Sequence, residues 1–509
     1  MKKYVLILPI AFILAIASCT DLNEPLYDQI DAREFYNSQD EIQAGLTNAY
    51  YKLMELEIWI HQFILQEVTT EIAIVPTRTN GGWNDGGRWN DAHLHTWDAA
   101  HQEVTETYSK LYNVVASANS LVELLKEREG EIEDVDEAIA EMRALRAYAY
   151  LNLLDLYGNV PIVTDAQIDP NNLPSNLNTT RADVFEFVEQ ELTDALENIP
   201  AVAEMSMAER QDYYPRFSKE AVQAMLVRLY LNAEVYSGSQ RWQDVIRVAD
   251  EIIASGAFSL TPNIWDNFAP ENENSLETIL AISQSNQDIT VCNFCAQGGN
   301  WINQLGLHPN LQQKFNLPIS PWGGTNVSVD HFEDYEEDDF RRTLILRGEQ
   351  KSESGEVLVD LVPVSNLNNS PFNEGYKSIK YQPDPQMVGI SARNDQILIR
   401  YSEILLSKAE AHYRLGQVGP ALDLVNQVRE RNFDSYTPLT TLTEEMILKE
   451  FAREFMWETH HRTHLIRHGK FLTNRYKFKD YDSEPHRIVF PIPQNELDRN
   501  PNLKQNPGY

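Results

Sequence analysis

The sequence predicts a mainly α-helical protein in which tetratricopeptide-like helical hairpins support a loop-rich region with little β-sheet. Apolar residues recur at helical spacing through most of the segments 40–56, 102–157 and 180–196. Two later segments have the pattern of a helix, a glycine-containing turn and a second helix. The stretches 76–97 and 259–379 are instead rich in Gly, Asn, Pro and aromatic residues, and loops of this length usually carry function.

The first helices are marked by their apolar faces and by their end signals. A single apolar face predicts a helix over 40–56, and two long helices are expected between 102 and 157, separated near Gly130. Thr180 and Asp183 have the spacing of a capping box, because their side chains can satisfy the free amides at a helix start. We therefore expect another helix from this point to residue 196.

Two helical hairpins and one long final helix are expected in the second half of the chain. The hairpins cover 219–236 with 242–254, and 396–415 with 420–431. Small residues such as Ala224 and Ala409 would let the paired helices approach closely. Because long insertions separate the hairpins, the pattern indicates hairpins within a larger domain and not a continuous solenoid. The final helix is predicted over 443–468.

The N-terminus has the pattern of a lipoprotein export signal. Lys2 and Lys3 precede an apolar run from Val5 to Ala17, and small residues lead directly to Cys19. The run is too short to span a bilayer, so we expect a signal peptide over 1–18 that is cleaved before Cys19. Acyl chains such as palmitate on that cysteine would anchor the protein to a membrane. The alternative is an ordinary cleaved signal followed by an incidental cysteine.

The composition describes a large, acidic chain with few cysteines. A formal net charge of −34 over 509 residues argues against nucleic acid or an anionic lipid surface as ligand, and it favours a neutral ligand over an anionic one. Residues 19–39 are expected to form a tether and leader, and 40–509 a single domain. Apart from Cys19, the sequence contains only Cys292 and Cys295, which form either a local disulfide or two packed thiols.

Four blocks of the sequence stand out as motifs. They are Ser18-Cys19 with Asp21 and Glu24; Arg143 to Tyr148 running into Leu156 to Pro161; Ile399 to Leu406 with Ala409 to Ala411; and Phe490 to Pro493 with Asn500 to Tyr509. In their residues and their order, these blocks resemble the SusD/RagB family of outer-membrane nutrient-binding lipoproteins, and the C-terminal block is the most specific. The segment 454–462 departs from the family pattern, which usually shows an arginine-rich helix ending in Glu-Gly-His-Arg.

The resemblance implies a SusD-like fold and a protein that captures oligo- or polysaccharide at the cell surface. It implies that the protein sits as a lid on a TonB-dependent, SusC-like transporter and passes glycan to it. It also implies attachment to the outer membrane through lipid on Cys19, where Asp21 and Glu24 favour display on the outer surface. A binding protein of this kind needs no catalytic residue and no cofactor.

The loop 76–97 makes an independent case for carbohydrate binding. Trp83 and Trp89 lie among glycines and short polar side chains. Sugar rings present weakly polar C–H faces and a rim of hydroxyl groups, so flat aromatic rings beside hydrogen-bonding side chains suit them. The alternative is that one or more of these tryptophans simply anchors the loop to the helical body, and Trp97 is the expected anchor.

Further candidate site residues come from a second aromatic region and from nearby charged side chains. The resemblance implies that an aromatic arc is completed by a second region, which makes Trp301 and Trp322 candidates here. Glu71, Arg78 and Asp85 are candidates for hydroxyl contacts, and the alternative for each is a surface salt bridge. Together with Trp83 and Trp89 they form the predicted glycan site.

Two other functions stay open from the sequence. An exported glycoside hydrolase needs only two positioned carboxylates, and the helical hairpins could act as a scaffold without binding glycan. The sequence contains no phosphate-binding loop, nucleophile elbow or His-Glu-x-x-His motif. The histidines at 460, 461, 464 and 468 lack such a neighbouring carboxylate, so no metal is expected there. The acidic run 334–339 is interpreted as a solvated face, and the alternative is a calcium site.

Overall fold

The computed structural model describes residues 38–57, 60–128, 132, 134–166, 179–284 and 302–509. These residues form short strands and many helices, as the sequence predicts. The helices are α1 Gln39–Glu57, α2 Ile60–Phe63, α3 Arg88–His93, α4 Gln102–Lys126, α5 Val135–Leu156, α6 Arg181–Ala195, α7 Met207–Tyr213, α8 Lys219–Leu231, α9 Ala233–Ser237, α10 Trp242–Ser255, α11 Ile302–Gly306, α12 Val329–Glu333, α13 Tyr401–Arg414, α14 Val418–Glu430, α15 Glu444–Glu454, α16 His461–Arg467 and α17 Gln494–Arg499. The strands are β1 Ala73–Ile74, β2 Thr278–Ile282, β3 Asn326–Val327, β4 Ile345–Leu346, β5 Gly348–Lys351, β6 Val357–Leu361, β7 Lys377–Ser378 and β8 Gln396–Arg400.

The long helices pack side by side into one helical body. Helix α5 lies between α4 and α6, and the hairpin of α8 and α10 contacts the hairpin of α13 and α14 through α10 and α13. One apolar core of buried residues runs through all of these helices. The prediction of a mainly helical protein with helical hairpins is thus confirmed. Among the described residues, no helix is both long enough and apolar enough to cross a membrane.

Local sequence signals account for where several of these helices begin or end. The Thr180 side chain accepts a hydrogen bond from the Asp183 amide, and the Asp183 carboxylate accepts one from the Thr180 amide, which confirms the predicted capping box. Gly238 and Gly416 have positive φ angles of 76° and 74° at the turns of the two hairpins. Glycine suits these positions because it has no Cβ to clash in the left-handed region.

Two of the predicted helices differ from the structure. The segment predicted as a helix from residue 396 begins with strand β8, which pairs with β2, and the helix starts only at Tyr401. All five residues of β8 are buried, so the strand lacks the alternation that would reveal it in the sequence. The predicted final helix 443–468 is broken between α15 and α16, where Trp457 and Thr459 have φ angles of 66° and 64°.

The strands form four small antiparallel pairs, and one of them positions the loop 76–97. Strand β1 pairs with β3, with Ala73 opposite Val327. Farther along the chain, a parallel bridge joins Arg78 to Ser370. These two pairings bring three segments that are far apart in sequence to one place.

A buried ionic network supports the helical body beside β8. The Arg400 guanidinium is fully buried and lies 2.7 Å from both the Glu277 and Glu454 carboxylates and 2.8 Å from Glu458. Burial alone would raise the pKa of Glu277, but Arg431 and Arg400 outweigh that effect and lower this pKa to about 2. Because the network pairs buried guanidinium groups with buried carboxylates, removing one partner would leave an unpaired charge in the interior.

The segment 490–509 closes the fold over the helical body. The Phe490 amide donates a hydrogen bond of 2.7 Å to the Leu156 carbonyl at the end of α5. The indole of Trp97 donates one of 2.8 Å to the Tyr509 hydroxyl, and Trp97 is only 2% exposed. The prediction that Trp97 anchors its loop is therefore confirmed.

Candidate functional site

Three segments, 78–89, 321–326 and 370–376, meet at a cluster of aromatic side chains. We call Trp83, Trp322 and Phe372 the aromatic platform. The Trp83 indole nitrogen donates a hydrogen bond of 3.4 Å to the Trp322 carbonyl. Phe372 lies beside the next residue, since a Cβ placed on Gly323 would be 3.7 Å from its ring.

Trp83 lies directly against the backbone of the second segment. A Cβ placed on Gly324 would be 2.2 Å from two atoms of the Trp83 ring, which is far inside van der Waals contact. Glycine is therefore required here, because a side chain would overlap the Trp83 ring. Trp83 itself has a φ of 59°, a left-handed conformation that is strained for a bulky residue and is often found at functional sites.

Trp89 packs against Trp83 on the buried side of the platform. Its ring centroid lies 5.6 Å from that of Trp83, and its indole nitrogen donates a hydrogen bond of 2.7 Å to the Asp85 carboxylate. The Arg88 guanidinium lies 4.4 Å from the Trp89 ring centroid. Because Trp89 is only 1% exposed, the expectation that it contacts glycan is corrected: it packs beneath Trp83.

Arg78 and Lys377 hold the second segment in place. Both side chains donate hydrogen bonds to the Gly323 carbonyl and to the Asn326 side-chain oxygen. Arg78 also donates to the Glu374 carbonyl at 2.8 Å. With Arg78 only 1% exposed and Lys377 fully buried, the expected hydroxyl contact by Arg78 is corrected to a positioning role.

This arrangement places two cationic groups side by side in the interior. Burial lowers the pKa of Lys377 well below its usual value, and the neighbouring Arg78 lowers it further. Burial also lowers the pKa of Arg78, to about 10, although Glu374 partly opposes the effect. His308 nearby has a pKa of about 4, lowered by burial, Lys377 and Arg78. The hydrogen bonds that Arg78 and Lys377 donate to carbonyl and amide oxygens offset the free-energy cost of burying these two groups.

The upper side of the platform is open to solvent. Trp322 is 40% exposed, which is unusual for so large an apolar side chain, and Trp83 and Phe372 are half-buried. Asp85 is exposed beside them, although one of its carboxylate oxygens is bonded to Trp89. An exposed tryptophan among short polar side chains can stack on a sugar face and can bond to its hydroxyls.

Glu71 lies outside the platform, in a different environment from the one expected. Its carboxylate is 2.6 Å from the His461 ring nitrogen and also accepts a hydrogen bond from the Asn474 side chain. Burial would raise the pKa of Glu71, but His461 outweighs this and lowers it to about 2. The expected glycan contact by Glu71 is therefore corrected to an interior ion pair.

Some predicted residues lie outside the described part of the chain, and some site residues were missed. Trp301, Cys19, Cys292 and Cys295 fall in segments that are not described. Phe372 was not among the predicted site residues, although it stands in the Asn-rich run 366–373 within the long loop region. Asn368 in that run accepts a hydrogen bond of 2.8 Å from Asn90, which links the two loops.

The histidines of the segment 460–468 have separate partners. His461 pairs with Glu71, and His468 lies 3.3 Å from Glu410. The ring of His464 packs on Phe451, with centroids 4.5 Å apart. Within the described residues, no three His, Cys, Asp or Glu side chains are grouped so that they could hold a metal ion.

Comparison with known proteins gives two family matches. A model described as the SusD family matches residues 346–509, and one described as starch-binding associating with outer membrane matches residues 27–231. The chain is 28% identical over 423 residues to the starch-binding protein SusD of Bacteroides thetaiotaomicron, covering 73% of this chain and 72% of that protein. Trp83 and Phe372 lie within the matched ranges, whereas Trp322 lies between them.

Solved structures share the fold. A laminarin-binding SusD-like protein superposes with a TM-score of 0.76 at 24% identity, covering 93% of this chain and all of that one. Surface glycan-binding protein A from Bacteroides thetaiotaomicron, in complex with laminarihexaose, gives a TM-score of 0.73 at 20% identity, covering 92% and 99% of the two chains. The helical architecture and both family matches agree with the sequence motifs, and the chain belongs to the SusD/RagB family.

Proposed function

We propose that this protein is a cell-surface glycan-binding lipoprotein that captures oligo- or polysaccharide on the aromatic platform. The observation that carries the proposal is the exposed Trp322 beside Trp83 on a rigidly held backbone. A sugar ring lying on these aromatic faces would bury apolar C–H groups while its hydroxyl rim meets the surrounding polar side chains. The matched family description and the starch-binding relative point to the same ligand class.

The platform is suited to binding because its backbone is fixed before any ligand arrives. Arg78 and Lys377 hold the Gly323 carbonyl, and Trp89 fills the space below Trp83. A preorganised aromatic surface loses little conformational entropy on binding, so more of the contact energy appears as affinity.

A binding role without turnover fits the carboxylates near the platform. Glu374 is buried and accepts hydrogen bonds from Ser365 and Ser370, and Asp85 is bonded to the Trp89 indole. A glycoside hydrolase would need two carboxyl groups facing one glycosidic bond. We expect no new reducing ends when the protein is incubated with glycans that it binds.

The family and the N-terminal pattern support a proposal for the location and the partner of the protein. The family description includes association with the outer membrane. We propose that lipid on Cys19 provides the attachment, that the protein faces outward, and that it delivers glycan to a SusC-like, TonB-dependent transporter. Replacing Cys19 with Ala should release the protein from the membrane fraction. Purification from native membranes should retain a large outer-membrane partner, and its reproducible absence would exclude the delivery model.

The glycan proposal is tested by calorimetry with maltohexaose and laminarihexaose, followed by a broader glycan array. We expect wild-type protein to bind at least one oligosaccharide, and Trp83→Ala and Trp322→Ala each to weaken that binding by about tenfold or more. The unfolding midpoint should change little for Trp322→Ala because its ring is exposed. Unchanged affinity in both variants would exclude the platform as the glycan site.

A matched control separates the platform from general surface effects. Tyr481 is 41% exposed, close to the 40% of Trp322, but it lies on the segment that follows α16. A Tyr481→Ala variant removes a similar exposed aromatic ring, together with its hydrogen bond to the Leu94 carbonyl near the end of the loop 76–97, and leaves the platform residues in place. It should bind glycan like the wild type.

A further inference from the structure

Two arginines on the surface of this acidic protein have no carboxylate partner. The Arg342 and Arg347 guanidinium carbons lie 4.6 Å and 4.8 Å from the centroid of the same ring, that of Phe332. Within the described residues, neither guanidinium forms a hydrogen bond or an ion pair, and the Arg342 Nε atom is buried without a partner. Two cationic groups are therefore held on one ring with no hydrogen-bond acceptor for their donors in the described part of the chain.

Arginines elsewhere in the described chain are engaged. Arg341, the neighbour of Arg342, is bound by Asp339 at 2.7 Å and by Glu450 at 2.8 Å. Even the exposed Arg247 and Arg475 each pair with a carboxylate, at 3.0 Å in both cases. With 76 acidic and 42 basic residues, the chain has carboxylates in excess, so two unpaired arginines on one ring are unexpected.

The surrounding residues fix these arginines without neutralising them. Phe332 on α12 is buried, and Tyr376 packs against it edge to face with ring centroids 5.2 Å apart. The exposed Glu333 follows Phe332 in the chain but forms no ion pair with either arginine among the described residues. Guanidinium groups stacked on an aromatic ring keep their edges available, and those edges match the oxygens of a carboxylate or other oxyanion.

We propose that Arg342 and Arg347, held on Phe332, bind an anionic substituent, either a carboxylate or a sulfate ester, on the carbohydrate ligand. The inference rests on the proposed glycan binding and extends it to the class of sugar. The site is connected to the platform through Tyr376, which packs against Phe332 and directly precedes Lys377, the residue that holds the Gly323 carbonyl. The overall charge of −34 disfavours an anionic ligand, and the unpaired arginines provide a local exception to it.

The experiment compares charged and uncharged forms of the same sugar. The probes are tetragalacturonic acid with its methyl ester, and a κ-carrageenan tetrasaccharide with its desulfated form. Calorimetry should show that wild-type protein binds the charged member of one pair about tenfold more tightly, since charge-assisted bonds to arginine are strong. The pair that shows the preference identifies the anion as carboxylate or sulfate. The preference should disappear in Arg342→Gln/Arg347→Gln.

The control is Arg247→Gln/Arg475→Gln, which removes two exposed arginines elsewhere and changes the net charge equally. It should keep the preference for the charged sugar. If the first double variant does not fold, Arg347→Gln alone replaces it because the Arg347 side chain is exposed.

Three results would overturn the inference: no charge preference in the wild type, a preference that survives Arg342→Gln/Arg347→Gln, or an equal loss in the control. Binding of a neutral glucan that depends on Trp83 would then leave the proposed function standing. If no glycan of any kind bound, the proposed function itself would fail.

Discussion

Replacing Gly324 with Ala tests whether the position of Trp83 determines glycan binding. The added Cβ would lie 2.2 Å from Cε2 and Cζ2 of the Trp83 ring and 2.4 Å from Cη2. Ordinary carbon contacts are about 3.5 Å or more, so the ring would have to move by more than about 1 Å. Because Trp83 is half-buried, it can move outward without disrupting the core.

The expected effect is mainly on affinity. If a sugar covers one face of the indole, about 80 Å² of apolar surface at 25 cal/mol per Å² corresponds to about 2 kcal/mol. Losing that face would weaken binding by about 30-fold. The stability cost of the overpacked contact should be about 1–3 kcal/mol, because the ring is displaced and not removed.

The assay combines calorimetry of the bound oligosaccharide with urea unfolding. Gly419→Ala is the control, since Gly419 is exposed in the first turn of α14, has no positive φ, and has nothing within 4 Å of an added Cβ. It should bind glycan like the wild type.

A double variant shows whether Gly324 acts through Trp83. If it does, adding Gly324→Ala to Trp83→Ala should cause little further loss of affinity, because the shared ring is already absent. The reasoning is refuted if Gly324→Ala binds glycan as the wild type does, or if its effect adds fully to that of Trp83→Ala.

Three further predictions concern the residues that support the fold and the platform. Lys377→Met should change stability by less than about 1.5 kcal/mol, because it replaces a buried cation by an apolar side chain of similar size. It should still weaken glycan binding, because it releases the Gly323 carbonyl. Urea unfolding and calorimetry on one preparation separate the two effects, and unchanged affinity would contradict the positioning role. Arg400→Met should lower the free energy of unfolding by about 3–5 kcal/mol, since Glu277, Glu454 and Glu458 would lose a buried partner. Arg400→Lys should not restore this stability, because lysine lacks the planar fork of arginine. A urea midpoint close to that of the wild type would contradict this prediction. Burial lowers the folded-state pKa of both His95 and His331 from 6.5 to about 3. The stability that each contributes is therefore present above pH 6.5 and is lost as the pH falls towards 3, by about 1.4 kcal/mol per pH unit for each histidine. The free energy of unfolding should decline accordingly between pH 7 and pH 5, and a flat profile would exclude these groups as buried neutral histidines.

The sequence predicts the helical body well because its helices carry local signals. The Thr180 capping box and the glycines at the hairpin turns act within a few residues, so they can be read from the chain alone. Strand β8 is different: its burial comes from pairing with β2, more than 100 residues away in sequence. The break between α15 and α16 likewise depends on tertiary contacts that hold Trp457 in a left-handed conformation.

The candidate site shows the same division. Tryptophans among glycines mark the loops that carry the platform, and Trp83 and Trp322 follow from that pattern. Their relative position depends on the contact between Trp83 and Gly324 and on the cations that hold Gly323, which no local pattern encodes. Trp89 and Arg78 share the composition of ligand-binding residues but are buried, and burial is a tertiary property.

The closing segment 490–509 has a consequence for the order of folding. Its contacts with Leu156 and Trp97 join residues that are synthesised more than 300 positions apart. Contacts of such long range form late, because the intervening chain must first become available and close a large loop. The loop that bears Trp83 therefore cannot be secured at its Trp97 end while the chain is still emerging. The proposed ligand-binding surface is therefore complete only once the whole chain is available.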